Sequence, residues 1–210
     1  MSRIATLVEN AKTELATWKR DGLVECVRSD VTGKPLGDPL NQPGSRLVAG
    51  YWSEGLGDPS RNGCSQVAWS AAFICWCLRR SGVKLDEFPF SAGHHSYIRW
   101  AIANSTRGKP DKLYCGMRLG EYRPRPGDMI AAWRKARKSD PDPNISFDNQ
   151  PDAFYPAHCD IVVEAAEDRV IAIGGNLSER VKEARYPATG GLLVPQRQLI
   201  CVLRHADNPN

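Results

Sequence analysis

The chain has 210 residues, of which 41% are hydrophobic and 25% charged, and its formal net charge is +4 at pH 7. This length and composition are typical of one globular domain with a sizeable core, which we place over residues 1–210, and they exclude a disordered or fibrous chain. The charge is too mild to favour nucleic-acid binding, and no segment approaches the ~20 apolar residues of a membrane helix, so we expect neither nucleic-acid binding nor membrane insertion.

The first half of the sequence predicts helices separated by turn-rich loops. Residues 3–20 place their apolar side chains on one face, with Ser2 as the N-cap. Residues 28–50 are rich in Gly, Pro, Asp and Asn, and we expect a loop there. A second amphipathic helix begins near residue 70 and stops at Gly82, and a shorter helix is expected over 95–104.

The second half predicts an antiparallel sheet. Strands are indicated at residues 129–133, 158–164, 170–176, 192–194 and 199–203, with a tight turn at 167–169 that makes a hairpin of the second and third. Residues 134–156 include four aspartates and four prolines and few apolar residues, which predicts a long surface loop or a lid. Helices followed by antiparallel strands indicate an α+β fold, with a helix packed on a small twisted sheet.

Two residues near the start of the second helix are candidate nucleophiles. Ser70 stands in the first turn, where the helix amides can stabilise an oxyanion, and Cys64 lies six residues earlier in the preceding loop. The seven cysteines include no CxxC pair, so we expect mostly reduced, buried thiols, no metal site and no cofactor.

A serine nucleophile needs a neighbouring base, and His158 at the start of a strand is the strongest candidate. Counting outward from the hairpin turn places Asn176 opposite His158, where it could orient the imidazole. Asp160 shares the strand face of His158 and is the alternative orienting residue. His94 and His95 are adjacent, so they point in different directions, and we expect a functional role for at most one of them.

Four motifs in this order resemble those of the CHAP and NlpC-type amidases of the papain-like superfamily. They are Trp69-Ser-Ala-Ala-Phe-Ile-Cys-Trp, Pro124-Arg-Pro-Gly-Asp128, the strand from His158 to Val163, and Ile173-Gly-Gly-Asn-Leu-Ser178. The serine in the first motif and the His-x-Ser-Tyr-Ile run of residues 94–98 are most similar to the domain of unknown function 2272 branch. The resemblance covers about residues 45–205, which we take as the papain-like core, preceded by a helix and loop over 1–44.

This resemblance implies a nucleophile-bearing helix packed on an antiparallel sheet, and hydrolysis of an amide bond in peptidoglycan. Carried over by position, Ser70 is the nucleophile in place of the usual cysteine, His158 the base and Asn176 the orienting residue. Trp69, His95 and Tyr97 are then expected to bind the peptidoglycan or muropeptide substrate.

Three functions remain open from the sequence. The first is an active amidase or endopeptidase, the second a catalytically inactive module of the same fold that binds peptidoglycan, and the third a hydrolase of another amide or ester. The N-terminus has no signal-peptide pattern, so we expect synthesis in the cytoplasm and action at the cell wall or periplasm after specialised export or injection. An injected antibacterial effector would also imply an immunity protein as its partner.

Overall fold

The computed structural model describes residues 2–109, 111–135 and 143–209, and these form four α-helices and seven β-strands. The helices are α1 Arg3–Arg20, α2 Pro43–Leu56, α3 Ser70–Arg80 and α4 His94–Thr106. The strands are β1 Tyr114–Met117, β2 Met129–Trp133, β3 Ala157–Ala165, β4 Arg169–Gly174, β5 Lys182–Thr189, β6 Leu192–Leu193 and β7 Leu199–His205.

The strands make one curled antiparallel sheet in the order β1-β7-β2-β3-β4-β5-β6. The main hydrophobic core lies between the four helices and one face of this sheet, where α3 packs on β3 and β4. A second, smaller core fills the opposite face of the sheet around Ile130, Val162 and Val202. The α+β prediction is confirmed, and so is a helix beginning at Ser70 that packs on an antiparallel sheet.

The predicted helix ends are confirmed where local signals were strong. The Ser2 hydroxyl accepts a hydrogen bond from the amide of Ala5 at the start of α1. The chain leaves α3 through Gly82, whose φ of 88° is in the left-handed region that glycine tolerates.

The loop predicted over residues 28–50 is wrong in its last part, because α2 begins at Pro43. Proline at the first helical position needs no amide partner, and Gly57, at φ 72°, ends the helix. Val48, Tyr51 and Trp52 form its buried face. The Pro/Gly content that indicated a loop therefore marks the two ends of a helix.

The excursion predicted at 134–156 is described in part, since residues 136–142 lie outside the described residues. Its second half packs against the protein through the buried side chains of Ile145 and Tyr155. Arg99 of α4 donates a hydrogen bond to the Pro151 carbonyl at 2.8 Å. Within the described ranges, none of the helices is long and apolar enough to cross a membrane.

Candidate active site

The first turn of α3 presents Ser70 at the junction of the helices and the sheet. Ser70 is the first residue of the helix, and its side chain is 7% exposed. Trp69, just before it, is held by stacking on Trp18 at 5.5 Å and by a hydrogen bond from its indole N–H to Glu25. The backbone at Ser70 is therefore fixed by core packing on its N-terminal side.

Trp69 and Tyr97 are both fully buried, which corrects the expectation that they contact substrate. Their rings belong to the core: Trp69 packs under α1, and Tyr97 packs on Phe88. Of the three predicted substrate-binding residues, only His95 is partly exposed. It faces Phe154 at 5.0 Å between ring centroids, and that phenylalanine is 71% exposed.

Cys64 is not a free thiol, because it forms a disulfide with Cys26. The prediction that the cysteines are mostly reduced holds for the five free cysteines, all of which are buried, but it is wrong for this pair. A disulfide sulfur cannot act as a thiolate nucleophile, so Cys64 is excluded as the alternative to Ser70 while this bond is intact. The pairing links two loops that are distant in sequence, which spacing alone does not reveal.

His158 and Asp160 form a buried pair on one face of β3. The Nε2 atom of His158 is 2.8 Å from Oδ1 of Asp160, and both side chains are less than 5% exposed. The other carboxylate oxygen accepts a hydrogen bond from the Tyr186 hydroxyl of β5. Burial opposes ionisation of Asp160, but the charge and hydrogen bond of His158 and the Tyr186 hydrogen bond outweigh it, so the pKa of this carboxyl is lowered.

The ionised carboxylate fixes which nitrogen of the neutral His158 ring carries the hydrogen. A carboxylate only accepts hydrogen bonds, so Nε2 of His158 carries the hydrogen that bonds to Asp160. In the neutral imidazole this leaves Nδ1 as a bare acceptor, and Nδ1 is buried with no partner among the described residues. A histidine in this state can receive a proton at Nδ1.

Asn176 does not orient His158. The hairpin register pairs Ile161 with Ile173, so the count that placed residue 176 across from His158 is correct. However, β4 ends at Gly174, and Asn176 adopts a φ of 57°, which turns it out of the extended ladder. No side-chain hydrogen bond of Asn176 occurs within the described part of the chain, and Asp160 has the orienting position.

Two glycines let the sheet approach the helix closely at this point. A Cβ atom on Gly174 would lie 1.8 Å from Oδ1 of Asp160, and one on Gly175 would lie 2.6 Å from Cβ of Phe73. The Gly-Gly dipeptide therefore lies in close contact with Asp160 on one side and with Phe73, in the first turn of α3, on the other.

Sequence reasoning missed His94, which is the residue that contacts Ser70. Its Nε2 atom is 2.6 Å from Oγ of Ser70, and its Nδ1 atom is hydrogen-bonded to the Tyr97 hydroxyl one turn later in α4. The His94 ring lies 5.2 Å from the His158 ring, centroid to centroid. Burial, with a smaller contribution from His158, lowers the pKa of His94 well below its usual value, so this ring is neutral. The i, i+3 spacing of histidine and tyrosine was the only local signal for this pair.

The fold and site together define an α+β protein with a serine, two histidines and an aspartate gathered where a helix start meets the sheet. Residues 42–207 match the bacterial family described as "Uncharacterized protein conserved in bacteria (DUF2272)", and the chain belongs to that family. Comparison with curated proteins gave no match, and comparison with solved structures gave none either.

Proposed function

We propose that this protein is a papain-like hydrolase that cleaves an amide bond in peptidoglycan, with Ser70 as nucleophile, His158 as base and Asp160 as orienting residue. The observation that carries the proposal is the state of His158. Its Nε2 atom is held by a buried carboxylate, its Nδ1 atom has no partner among the described residues, and its ring lies 5.2 Å from the ring of His94, which contacts Ser70. Serine, base and orienting acid are the parts that nucleophilic acyl transfer requires.

The placement of the sequence motifs supports the papain-like assignment. The first motif forms the start of α3, and Pro124 to Asp128 form the turn that leads into β2. The His158 motif is β3, and the Gly174-Gly175 segment ends the strand beside it. These are the structural positions that the resemblance to CHAP and NlpC-type amidases implies for a nucleophile helix and a histidine strand.

The proposed reaction proceeds in two balanced steps. In the first, Oγ of Ser70 bonds to the carbonyl carbon of the scissile amide while its proton passes to Nδ1 of His158. The C–N bond then breaks, and the leaving amine takes that proton. In the second, a water oxygen bonds to the acyl carbon while His158 takes a water proton, the bond from the acyl carbon to Oγ breaks, and His158 returns the proton to Oγ as the carboxylic acid is released.

The proposed attack requires a change at Ser70. Ser70 is hydrogen-bonded to His94, and no hydrogen bond joins it to His158 within the described residues. The proposed attack therefore requires the Ser70 hydroxyl to leave His94 and meet Nδ1 of His158 when substrate binds. Amides in the first turn of α3 are available to stabilise the oxyanion, because the start of a helix leaves them without intrahelical acceptors.

The Cys26–Cys64 disulfide supports action outside a reducing cytosol. Disulfides persist in periplasmic and extracellular proteins, which is where peptidoglycan lies. A bacterial hydrolase made in one cell and delivered to the wall of another would meet these conditions. In that case a dedicated immunity protein would protect the producing cell.

Digestion of purified peptidoglycan, followed by mass analysis of the fragments, tests this function. We expect wild-type protein to release fragments with new amine and carboxyl ends, and His158→Ala to abolish release while remaining folded. Full turnover by folded His158→Ala would refute the mechanism. Saturable binding of muropeptides without cleavage would instead establish the inactive binding module.

Ser70→Cys gives an independent test of the same position. The introduced thiol should react with iodoacetamide, whereas the five free native cysteines are buried, and burial raises the pKa of Cys75 to about 12. Activity of this variant that iodoacetamide abolishes would place residue 70 at the reacting centre. A folded variant whose residue 70 resists alkylation would count against an accessible site.

A further inference from the structure

His94 can exist in two neutral forms, and they make opposite hydrogen bonds to Ser70. If Nε2 carries the hydrogen, His94 donates to Oγ of Ser70 and accepts from the Tyr97 hydroxyl at Nδ1. If Nδ1 carries it, His94 donates to Tyr97 and accepts from Ser70. The first form makes His94 a donor to the proposed nucleophile, and the second makes it a competitor of His158 for the serine proton.

The partners of Tyr97 distinguish these forms. Tyr97 is fully buried, and its hydroxyl has His94 Nδ1 as its one hydrogen-bond partner among the described residues. Burial raises the pKa of Tyr97 well above its usual value, so the phenol keeps its hydrogen at neutral pH. If Nδ1 of His94 donated to Tyr97, that phenol hydrogen would be buried without an acceptor, which is a costly state.

The hydroxyl hydrogen of Ser70 completes the comparison. When His94 accepts at Nε2, the Ser70 hydrogen is used and the Tyr97 hydrogen is left without an acceptor. When His94 donates through Nε2, the Tyr97 hydrogen is used and the Ser70 hydrogen has no partner among the described residues. The unpaired hydrogen costs less on Ser70, which is 7% exposed, than on Tyr97, which is fully buried, so the Nε2–H form of His94 is favoured.

We propose that Tyr97 holds His94 in the Nε2–H form, so that His94 donates a hydrogen bond to Oγ of Ser70 and stabilises the negative charge that develops there during attack. This inference rests on the proposed function, since it assigns a role at the same nucleophile. It accounts for serine at a position where the resembled superfamily has cysteine. A hydroxyl ionises far less readily than a thiol, and a fixed donor at 2.6 Å reduces that disadvantage.

Histidine tautomers can be read from nitrogen-15 NMR of the wild-type protein without any substrate. Long-range couplings between ring nitrogens and carbon-bound protons should show Nε2–H for both His94 and His158, with assignments from His94→Gln and His158→Gln. An Nδ1–H form of His94 overturns the inference, whether or not the protein digests peptidoglycan. Conversely, an absence of peptidoglycan cleavage would overturn the proposed function and leave the tautomer result standing.

Tyr97→Phe removes the hydroxyl that donates to Nδ1 of His94 and keeps the aromatic ring. Tyr114→Phe is its matched control. Tyr114 is equally buried, and its hydroxyl donates one hydrogen bond, to the Gly127 carbonyl at 3.0 Å, away from Ser70. Labelling of Ser70 by a fluorophosphonate should slow about 10- to 100-fold in Tyr97→Phe and change less than about 3-fold in Tyr114→Phe. Equal rates in two folded variants would overturn the role of Tyr97.

The Ser70→Cys background separates charge stabilisation from simple packing. A thiol forms its anion more readily, so its alkylation should depend on Tyr97 by less than about 3-fold. If Tyr97→Phe slows thiol and hydroxyl chemistry to the same extent, the effect is a general disturbance of the site, and the proposed role of His94 is wrong.

Discussion

Asp160→Asn is the substitution whose effect the structure defines most closely. The variant keeps the size of the side chain and one acceptor oxygen but removes the negative charge beside Nε2 of His158. In the proposed mechanism His158 becomes positively charged when it takes the serine proton, and the carboxylate stabilises that charge. The loss therefore falls on the transition state more than on folding.

The distance between His158 and Asp160 sets the size of the expected loss of activity. At the observed 2.8 Å, with an effective dielectric constant of about 20, opposite unit charges attract by about 6 kcal/mol. The neutral amide retains part of this as an ordinary hydrogen bond of about 1 kcal/mol. We therefore expect kcat/KM on peptidoglycan fragments to fall by roughly 10³- to 10⁴-fold, equivalent to about 4–5 kcal/mol.

Glu164→Gln is the matched control, since it makes the same acid-to-amide change near the end of the same strand. Glu164 is exposed and paired with Arg169, and exposed pairs contribute about 1 kcal/mol at most. Turnover by the control should equal that of the wild-type protein. If folded Asp160→Asn retains more than a tenth of wild-type kcat/KM, Asp160 does not orient and stabilise the base.

Three further predictions concern the surroundings of the site. Gly174→Ala should abolish activity, because its methyl group would displace the buried carboxylate of Asp160, 1.8 Å away. In the control Gly50→Ala, the new methyl group has no atom within 4 Å, so this variant should keep full activity and stabilise α2 by about 0.5–1 kcal/mol in denaturant unfolding. A fully active Gly174→Ala protein would contradict the proposed arrangement of the site. Replacing Cys26 and Cys64 together by serine opens a loop with a sequence separation of 38 and should lower the free energy of unfolding by about 4 kcal/mol, and a smaller loss than about 1 kcal/mol would argue that the bond is not formed. Burial lowers the pKa of His205 to about 4, so protonation of the unfolded chain should reduce stability by roughly 3 kcal/mol as the pH falls from about 6.5 to 4, and His205→Gln should remove that part of the slope.

The sequence predicted the parts of the fold that depend on local patterns of residues. The apolar stripe of α1, the Gly82 stop of α3 and the β3–β4 hairpin all follow from side-chain periodicity and turn residues. The start of α2 was missed because Pro43 at a first helical position has the same composition signal as a loop.

The parts of the site that were missed depend on packing between distant segments. His94 meets Ser70 only because the fold brings the start of α4 to the start of α3, and no spacing in the sequence indicates that contact. The choice between Asn176 and Asp160 depended on where β4 ends, and a φ of 57° at Asn176 decided it. The Cys26–Cys64 bond likewise joins two loops that the fold brings together.

Digestion of peptidoglycan in oxygen-18 water by wild-type and Ser70→Ala protein tests the central claim most directly. Ser53→Ala is the control, because that hydroxyl donates to its own helix at the Gly50 carbonyl. We predict that wild-type and Ser53→Ala release fragments with one heavy oxygen in each new carboxyl group, and that Ser70→Ala releases none. Undiminished release by Ser70→Ala, or an unchanged substrate after incubation with the wild-type protein, would contradict the account.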